Sequence, residues 1–294
     1  MKRNRLLVAL LFAPAALEGA APAAEAQPAA APRRIVLCAP GYPGSTAEAQ
    51  PTMDVFAQAL SLAASRPAGS LTASYFETVE GGLSALQAPE AAYALVTLPF
   101  FLEFGDRLSL SPRLRAVELA AASEQWTLVA RAGTLSGPAA LAGWELTGGP
   151  CFSPAFCKGP ALGAWATPPD TVRVTPAARI VTALRRSAAG EQVCVLLNQE
   201  QTGSLRTLPF ASGLAAVTSS SPMPGSVFCV VGTRAGRADA AVVLDALTRL
   251  DKSDAGQQVL EAMRLSHFEL LDTGELEPIR KRFSAAGGPA TAGP

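Results

Sequence analysis

The stretch EQWTLVAR (Glu124–Arg131) and its counterpart MPGSVFCVVGTR (Met223–Arg234) decide how this chain folds. Each is a short apolar run rich in β-branched and aromatic residues, the composition of a strand. Both are placed to cross between two lobes. Around them, short apolar runs alternate with helical patterns. RIVLCAP begins the series at Arg34, and GYPGST turns the chain into a helical pattern from Ala47. SLTASYF, AAYALVTLP, AVELAAAS and EQVCVLLN read as further strands. Helical patterns follow in VEGGLSALQAP, ARIVTALRRSAAG, ADAAVVLDALTRLDKS and DAGQQVLEAMRL. Such alternation predicts an α/β fold whose sheets are mainly parallel and flanked by helices.

The amino terminus sets the expected compartment. Lys2, Arg3 and Arg5 form a basic region, Leu6 to Ala16 an apolar one, and Ala24-Glu25-Ala26 a cleavage pattern. Residues 1–26 therefore read as a secretory signal, too short and too Pro-interrupted for a transmembrane anchor. The mature protein is expected to be exported to the periplasm as a monomer. Hydrophobic residues make up 49% and charged residues 16%, which suits a well-buried globular body. The net charge of +0 gives no reason to expect nucleic acid as a partner. Residues 284–294, SAAGGPATAGP, read as a flexible tail.

All five cysteines lie beyond the signal. Cys38, Cys194 and Cys229 sit inside apolar strand-like runs, where a thiol behaves as a small hydrophobe. Cys151 and Cys157 share the loop stretch GGPCFSPAFCKGPALGAW (Gly148–Trp165), and a local disulfide between them is expected in an oxidising compartment. Their number is odd, so at least one cysteine is free or bonded elsewhere. A metal site there lacks ligands, because the only histidine, His267, lies far along the chain. No cofactor is implied: no P-loop is present, and no G-x-G-x-x-G opens a helix. Hydrolase chemistry finds no G-x-S-x-G, so an enzyme is not expected.

Four passages carry a resemblance: YFETVEGGLSALQAPEAAYALVTLPFFLEF (Tyr75–Phe104), EQWTLVARAGTLSGPAALAGWELTGG (Glu124–Gly149), SSSPMPGSVFCVVGTRA (Ser219–Ala235) and DAGQQVLEAMRLSHFELLDTGELEPIR (Asp254–Arg280). In order and spacing the sequence resembles the phosphate/phosphite/phosphonate-type periplasmic substrate-binding proteins of ABC transporters. The resemblance implies the two-lobed type II periplasmic-binding fold. One lobe would be residues 33–122 plus 223–283, the other 123–222. The implied partners are a small ligand in the cleft and an ABC permease.

The resemblance also places candidate ligand-binding residues. The family's Ser/Thr-rich oxyanion loop falls on Phe156, Cys157, Lys158 and Gly159, so its hydroxyls are missing while Gly159 and the helix start remain. Lys158 is either a charge for an anionic ligand or a solvated loop lysine. Val79 and Val96 stand where the family has pocket tyrosines, Arg179 where it has a histidine, and Ser226 where it has an acidic residue. Glu200 matches an acidic position that meets the ligand's ammonium group. Arg179 is a bidentate anchor or a helix-surface charge, and Glu200 a ligand acceptor or an ordinary loop carboxylate. Thr97 and the turn from Pro43 through Ser45 to Thr46 are donors by position, or turn residues only. Phe100 and Phe101 would approach the pocket. The function expected is capture of a small anionic or amphipathic solute for an importer, in a pocket diverged from the phosphonate type. The alternative is a carrier of a lipid or other hydrophobic ligand on the same fold.

Overall fold

A computed structural model describes residues 31–42, 44–177 and 179–289; the signal-like residues 1–26, Pro43 and the end of the tail lie outside them. In chain order the first elements are β1 (Arg33–Cys38), α1 (Thr46–Ala63), β2 (Leu71–Phe76), α2 (Val79–Gln87), β3 (Ala91–Thr97), α3 (Leu98–Phe104) and β4 (Leu110–Glu118). Next come β5 (Thr127–Arg131), β6 (Glu145–Gly148), α4 (Pro154–Lys158), β7 (Arg173–Pro176), α5 (Ile180–Ala188), β8 (Val193–Leu197), α6 (Gln199–Ser204) and β9 (Leu214–Ser219). The chain ends with β10 (Ser226–Val231), α7 (Arg237–Thr248), α8 (Asp254–Ala262), β11 (Leu265–Leu270) and α9 (Thr273–Ala285).

These strands form two sheets, ordered β11-β4-β10-β3-β1-β2 and β7-β6-β8-β5-β9. Helical crossovers make β1 parallel to β2 and β3, and β6 parallel to β7 and β8. The strands reached by the two crossings run the other way. β10 lies antiparallel between β3 and β4, and β5 antiparallel between β8 and β9. Both sheets are therefore mixed, where a mainly parallel pattern was expected. The physical reason is local: a crossing enters its new sheet without a helix to return the chain to the starting edge.

The crossings hold each other. The Glu124 amide donates to the Met223 carbonyl at 2.8 Å, and the Met223 amide donates back at 3.0 Å. Farther along, the Ser220 amide donates to the Trp126 carbonyl, and the Ser220 hydroxyl accepts from the Trp126 amide.

Three apolar clusters fill the molecule. Ile35, Phe56, Tyr93, Phe228 and Phe268 lie between the first sheet and α1, α7 and α8. A smaller cluster, with Val129, Leu184 and Val195, lies beneath α5. The third is shared by both sheets and the helices beside them: Val36, Val96, Val227 and Phe100 of α3 join Leu128, Leu146, Leu196 and Phe156 of α4. Alternation explains this sharing, because Val96 and Leu95 point to opposite faces of β3 and enter different clusters.

Candidate functional site

Between the carboxyl ends of the strands in the two sheets, two loops come into backbone contact. Gly41 has φ +86°, and a Cβ there would lie 2.6 Å from Gly149 Cα. Only glycine permits both that conformation and that approach.

The start of α1 lies just beyond Gly41. Ser45 caps it in a capping box: its side-chain oxygen accepts from the Glu48 amide, and Glu48 accepts from the Ser45 amide at 2.9 Å and hydroxyl at 2.8 Å. The Thr46 amide donates to Glu77 at 2.9 Å, and the Thr46 hydroxyl donates to the same oxygen. These bonds favour the charged acids. The Ser45 hydroxyl holds the Glu48 carboxyl below its ordinary range, and the Thr46 hydroxyl does the same for Glu77. Ser45 and Thr46 thus stand at the helix start, and each already has an acceptor in this chain.

A second group of carboxylates gathers at the crossings. Glu124 is only 4% exposed. One of its oxygens accepts from the Gln199 amide at 2.8 Å, at the start of α6, and from the Gln125 amide at 3.0 Å. The other accepts from the Tyr42 hydroxyl at 3.4 Å. One side chain therefore links the β1–α1 loop, a crossing and α6. Burial raises the Glu124 carboxyl, opposed chiefly by the Gln199 amide. Nearby, Glu118 is pushed up to about 7, first by burial and then by the charges of Glu124 and Glu200. Burial lifts the Tyr42 phenol well above its usual range, with the Glu124 charge adding to it. Glu200 is exposed and paired with Arg264 at 2.8 and 3.0 Å.

The other sequence candidates scatter. Thr97 ends β3 opposite Ser226 in register; Thr97 is 2% exposed and its hydroxyl has no partner among the described residues. Ser226 and Val79 are half-buried, whereas Val96 belongs to the shared core. Phe100 and Phe101 are core residues on α3. Phe156 is wholly buried and meets Trp126 edge-on at 5.8 Å, so it lines no open surface. Gly159 lies under the last helix: a Cβ there would sit 2.6 Å from the Arg282 carbonyl oxygen. Lys158, half-buried at the end of α4, and Arg179, exposed at the cap of α5, make no ion pair among the described residues. Gly159, Arg179 and Glu200 therefore have separate surroundings.

The expected Cys151–Cys157 disulfide is absent. Both thiols are free and buried, with sulfurs 3.2 Å apart against about 2.0 Å for a bonded pair. The six-residue spacing brings the thiols together through the helical turns at 149–158, but as a hydrogen-bonded pair inside the shared core. Among the described residues no cluster of His, Cys, Asp or Glu is arranged to hold a metal ion. Nor is any helix there long and apolar enough to cross a membrane.

Two mixed sheets, each entered antiparallel by the strand that follows a crossing and joined by a paired double crossing, are a distinctive topology. The fold is the two-lobed type II periplasmic-binding fold. No protein-family model matches the sequence, and no curated protein does. Solved structures with this fold do. XAC2383 from Xanthomonas citri, bound to chloride ion, superimposes with TM-score 0.67 at 14% identity, over 86% of this chain and 97% of that one. A binding protein component of an ABC phosphonate transporter from Pseudomonas aeruginosa gives TM-score 0.59 at 16% identity, over 89% and 90%. PhnD1 from Prochlorococcus marinus, in complex with methylphosphonate, gives 0.60 at 11%, over 88% and 99%. At such identities the likeness is one of periplasmic-binding fold.

Sequence reasoning did not single out Glu77, Glu118, Glu124 or Tyr42. Tyr42 stands in the quoted turn GYPGST and Glu124 opens the quoted crossing. Their signal was a polar residue at a strand or crossing boundary.

Proposed function

We propose that this chain is an exported solute-binding protein that captures a small ligand between two lobes and delivers it to an ABC importer, with a pocket diverged from the phosphonate type. The lobes would be residues 33–122 plus 223–283, and 123–222; the membership of the two sheets supports that division. Residues 1–26 would direct export to the periplasm. Ser45, Thr46, Thr97, Ser226 and Glu200 would stand along the cleft, joined by Tyr42, Glu118 and Glu124.

One observation carries the reading. Tyr42, Glu124 and the start of α6 meet where strand ends of both sheets converge beside the paired crossings. In open α/β sheets that is where ligands bind, and rotation about crossing strands closes two lobes on them. The neighbours named above support it further, since two are described as phosphonate-binding components or complexes.

The test is native mass spectrometry of protein purified from its host, followed by thermal-shift screening of the ligand found. A stoichiometric small solute that raises Tm is expected. A co-purifying lipid would favour the hydrophobic-carrier alternative, which the apolar contact between the sheets supports. A chain that carries no ligand and responds to none in a broad solute screen would overturn both readings.

A further inference from the structure

We propose that the turn at residues 149–153 is a latch between the two proposed lobes, fastened by a hydrogen bond from Ser153 to Glu103, and that its release sets how often the cleft opens. This rests on the two-lobed solute-binding reading and adds a regulation of that site.

Ser153 stands at the N-cap of α4, where a serine hydroxyl ordinarily accepts from an amide of the first helical turn. Here it makes no such bond. Pro154 opens the helix and removes one of the free amides of its start. The Ser153 hydroxyl donates instead to Glu103 Oε2 on α3 at 2.6 Å. Ser153 is 0% exposed and Glu103 half-buried, so this bond to a carboxylate is partly shielded from water. Glu103 falls within residues 33–122 and Ser153 within 123–222. The bond therefore joins the proposed lobes.

Two further contacts of the same turn reach the same lobe. Phe152 stacks on Phe104 of α3, with ring centres 6.4 Å apart and planes 13° apart. Gly149 meets Gly41 in the close backbone approach described above. Polar, aromatic and backbone contacts thus converge on one short turn. α3 supplies the leverage. At its start the Leu98 amide donates to the Gly225 carbonyl of the second crossing at 2.9 Å. Glu103 and Phe104 stand about 8 Å farther along its axis. One end of this helix is held at the crossing, and the other carries the latch. A swing of the second lobe about the crossings would break the Ser153–Glu103 bond and part the two rings. Water would then replace both polar partners, so the contact can be released and remade.

The experiment is amide hydrogen exchange read by mass spectrometry on the wild type, Ser153→Ala, Glu103→Ala, Glu103→Gln and the double alanine variant, with circular dichroism checking the fold. Ser153→Ala removes a hydroxyl and adds no volume, so it should fold. Each single alanine variant is read on the other partner's peptide: Ser153→Ala at residues 98–104, Glu103→Ala at residues 149–157. Exchange there should be about five- to tenfold faster, the scale of one lost, partly screened bond to a charged group. β8 and α7 should keep wild-type rates. Glu103→Gln retains an acceptor and should stay within about twofold of the wild type. The double variant should be no faster than the faster single, because both remove one interaction. A change under about twofold in both alanine variants would overturn the latch, and so would equal acceleration in β8 and α7, the mark of lost global stability. Urea dependence in the wild type tests the underlying reading separately. Parting of lobes exposes less surface than unfolding, so residues 98–104 and 149–157 should respond to urea less steeply than β8 and α7. An equal response shows that the lobes do not part, and removes the cleft reading together with the latch. A shallower response without acceleration in the alanine variants removes the latch alone.

Discussion

The start of α1 and the crossing region use the same chemistry at different depths. At α1, Glu48 and Glu77 accept hydrogen bonds near the solvent, and those bonds lower both carboxyls. At the crossings, Glu118 and Glu124 lie in a drier setting, and burial raises both. Water screens the first pair and cannot fully screen the second. The difference teaches that an accepted hydrogen bond near water is enough to lower a carboxyl, whereas in a buried setting the same kind of bond does not offset the cost of burial.

Substitutions can break this contrast, and the largest effect is expected at Glu124. Glu124→Ala strands the Gln199 and Gln125 amides and the Tyr42 hydroxyl in a buried setting. A loss of about 2–4 kcal/mol is expected by urea denaturation, since buried unpaired donors carry their desolvation cost. Glu124→Gln keeps an acceptor and should lose less. A loss for Glu124→Ala under half a kcal/mol would show that the linkage bears no weight.

Gly41→Ala comes next. It places a Cβ 2.6 Å from Gly149 Cα on a residue with φ +86°. Backbone must move on one side or the other, so a loss of about 1–3 kcal/mol is expected in the same assay.

Glu118 sharpens the comparison through pH. Its folded carboxyl titrates at about 7, above its ordinary 4.5. The folded state therefore binds more protons than the unfolded state between those values, and stability falls as pH rises across that window. Below it the acid is neutral in both states; above it the full cost is present. After allowance for solvent screening, a fall of about 1–2 kcal/mol is expected between pH 4.5 and 8. Glu118→Gln should flatten that part of the profile, and an unchanged slope would assign it to other groups.

The smallest change in stability is expected for Glu77→Ala. Its carboxylate lies near the solvent, where such interactions are screened, so denaturation midpoints should lie close to the wild type. A large loss of stability would show that the Thr46–Glu77 bonds hold the start of α1 in place.

The order of strands and helices was legible because period-2 and period-3.6 patterns alternate along the chain. Several strands were harder to see. β4, LSPRLRAVE, carries Pro112 and two arginines, and only its apolar end registers as a strand. β11, LSHFEL, follows α8 directly and reads as the end of that helix, yet it pairs with β4 at the sheet edge. β9 is short and half-exposed. Of the site, Ser45 and Thr46 were legible because helix starts favour hydroxyls. Their partner Glu77 was not, nor was the Tyr42–Glu124 contact, which spans 82 positions. Hydrogen bonds between remote polar residues leave no periodic trace. The cysteine pair was half-legible: spacing brought the thiols together, but as an unbonded pair in the shared core.

The last helix has a mechanical consequence. α9 follows β11 of the first sheet, yet Phe283 sits wholly buried among residues of both sheets and Arg282 roofs Gly159. Were the proposed lobes to swing apart, this clasp would leave its seat, and re-exposing one phenylalanine alone would cost about 2 kcal/mol. Such an opening would thus be resisted from the carboxyl end of the chain, away from the crossings.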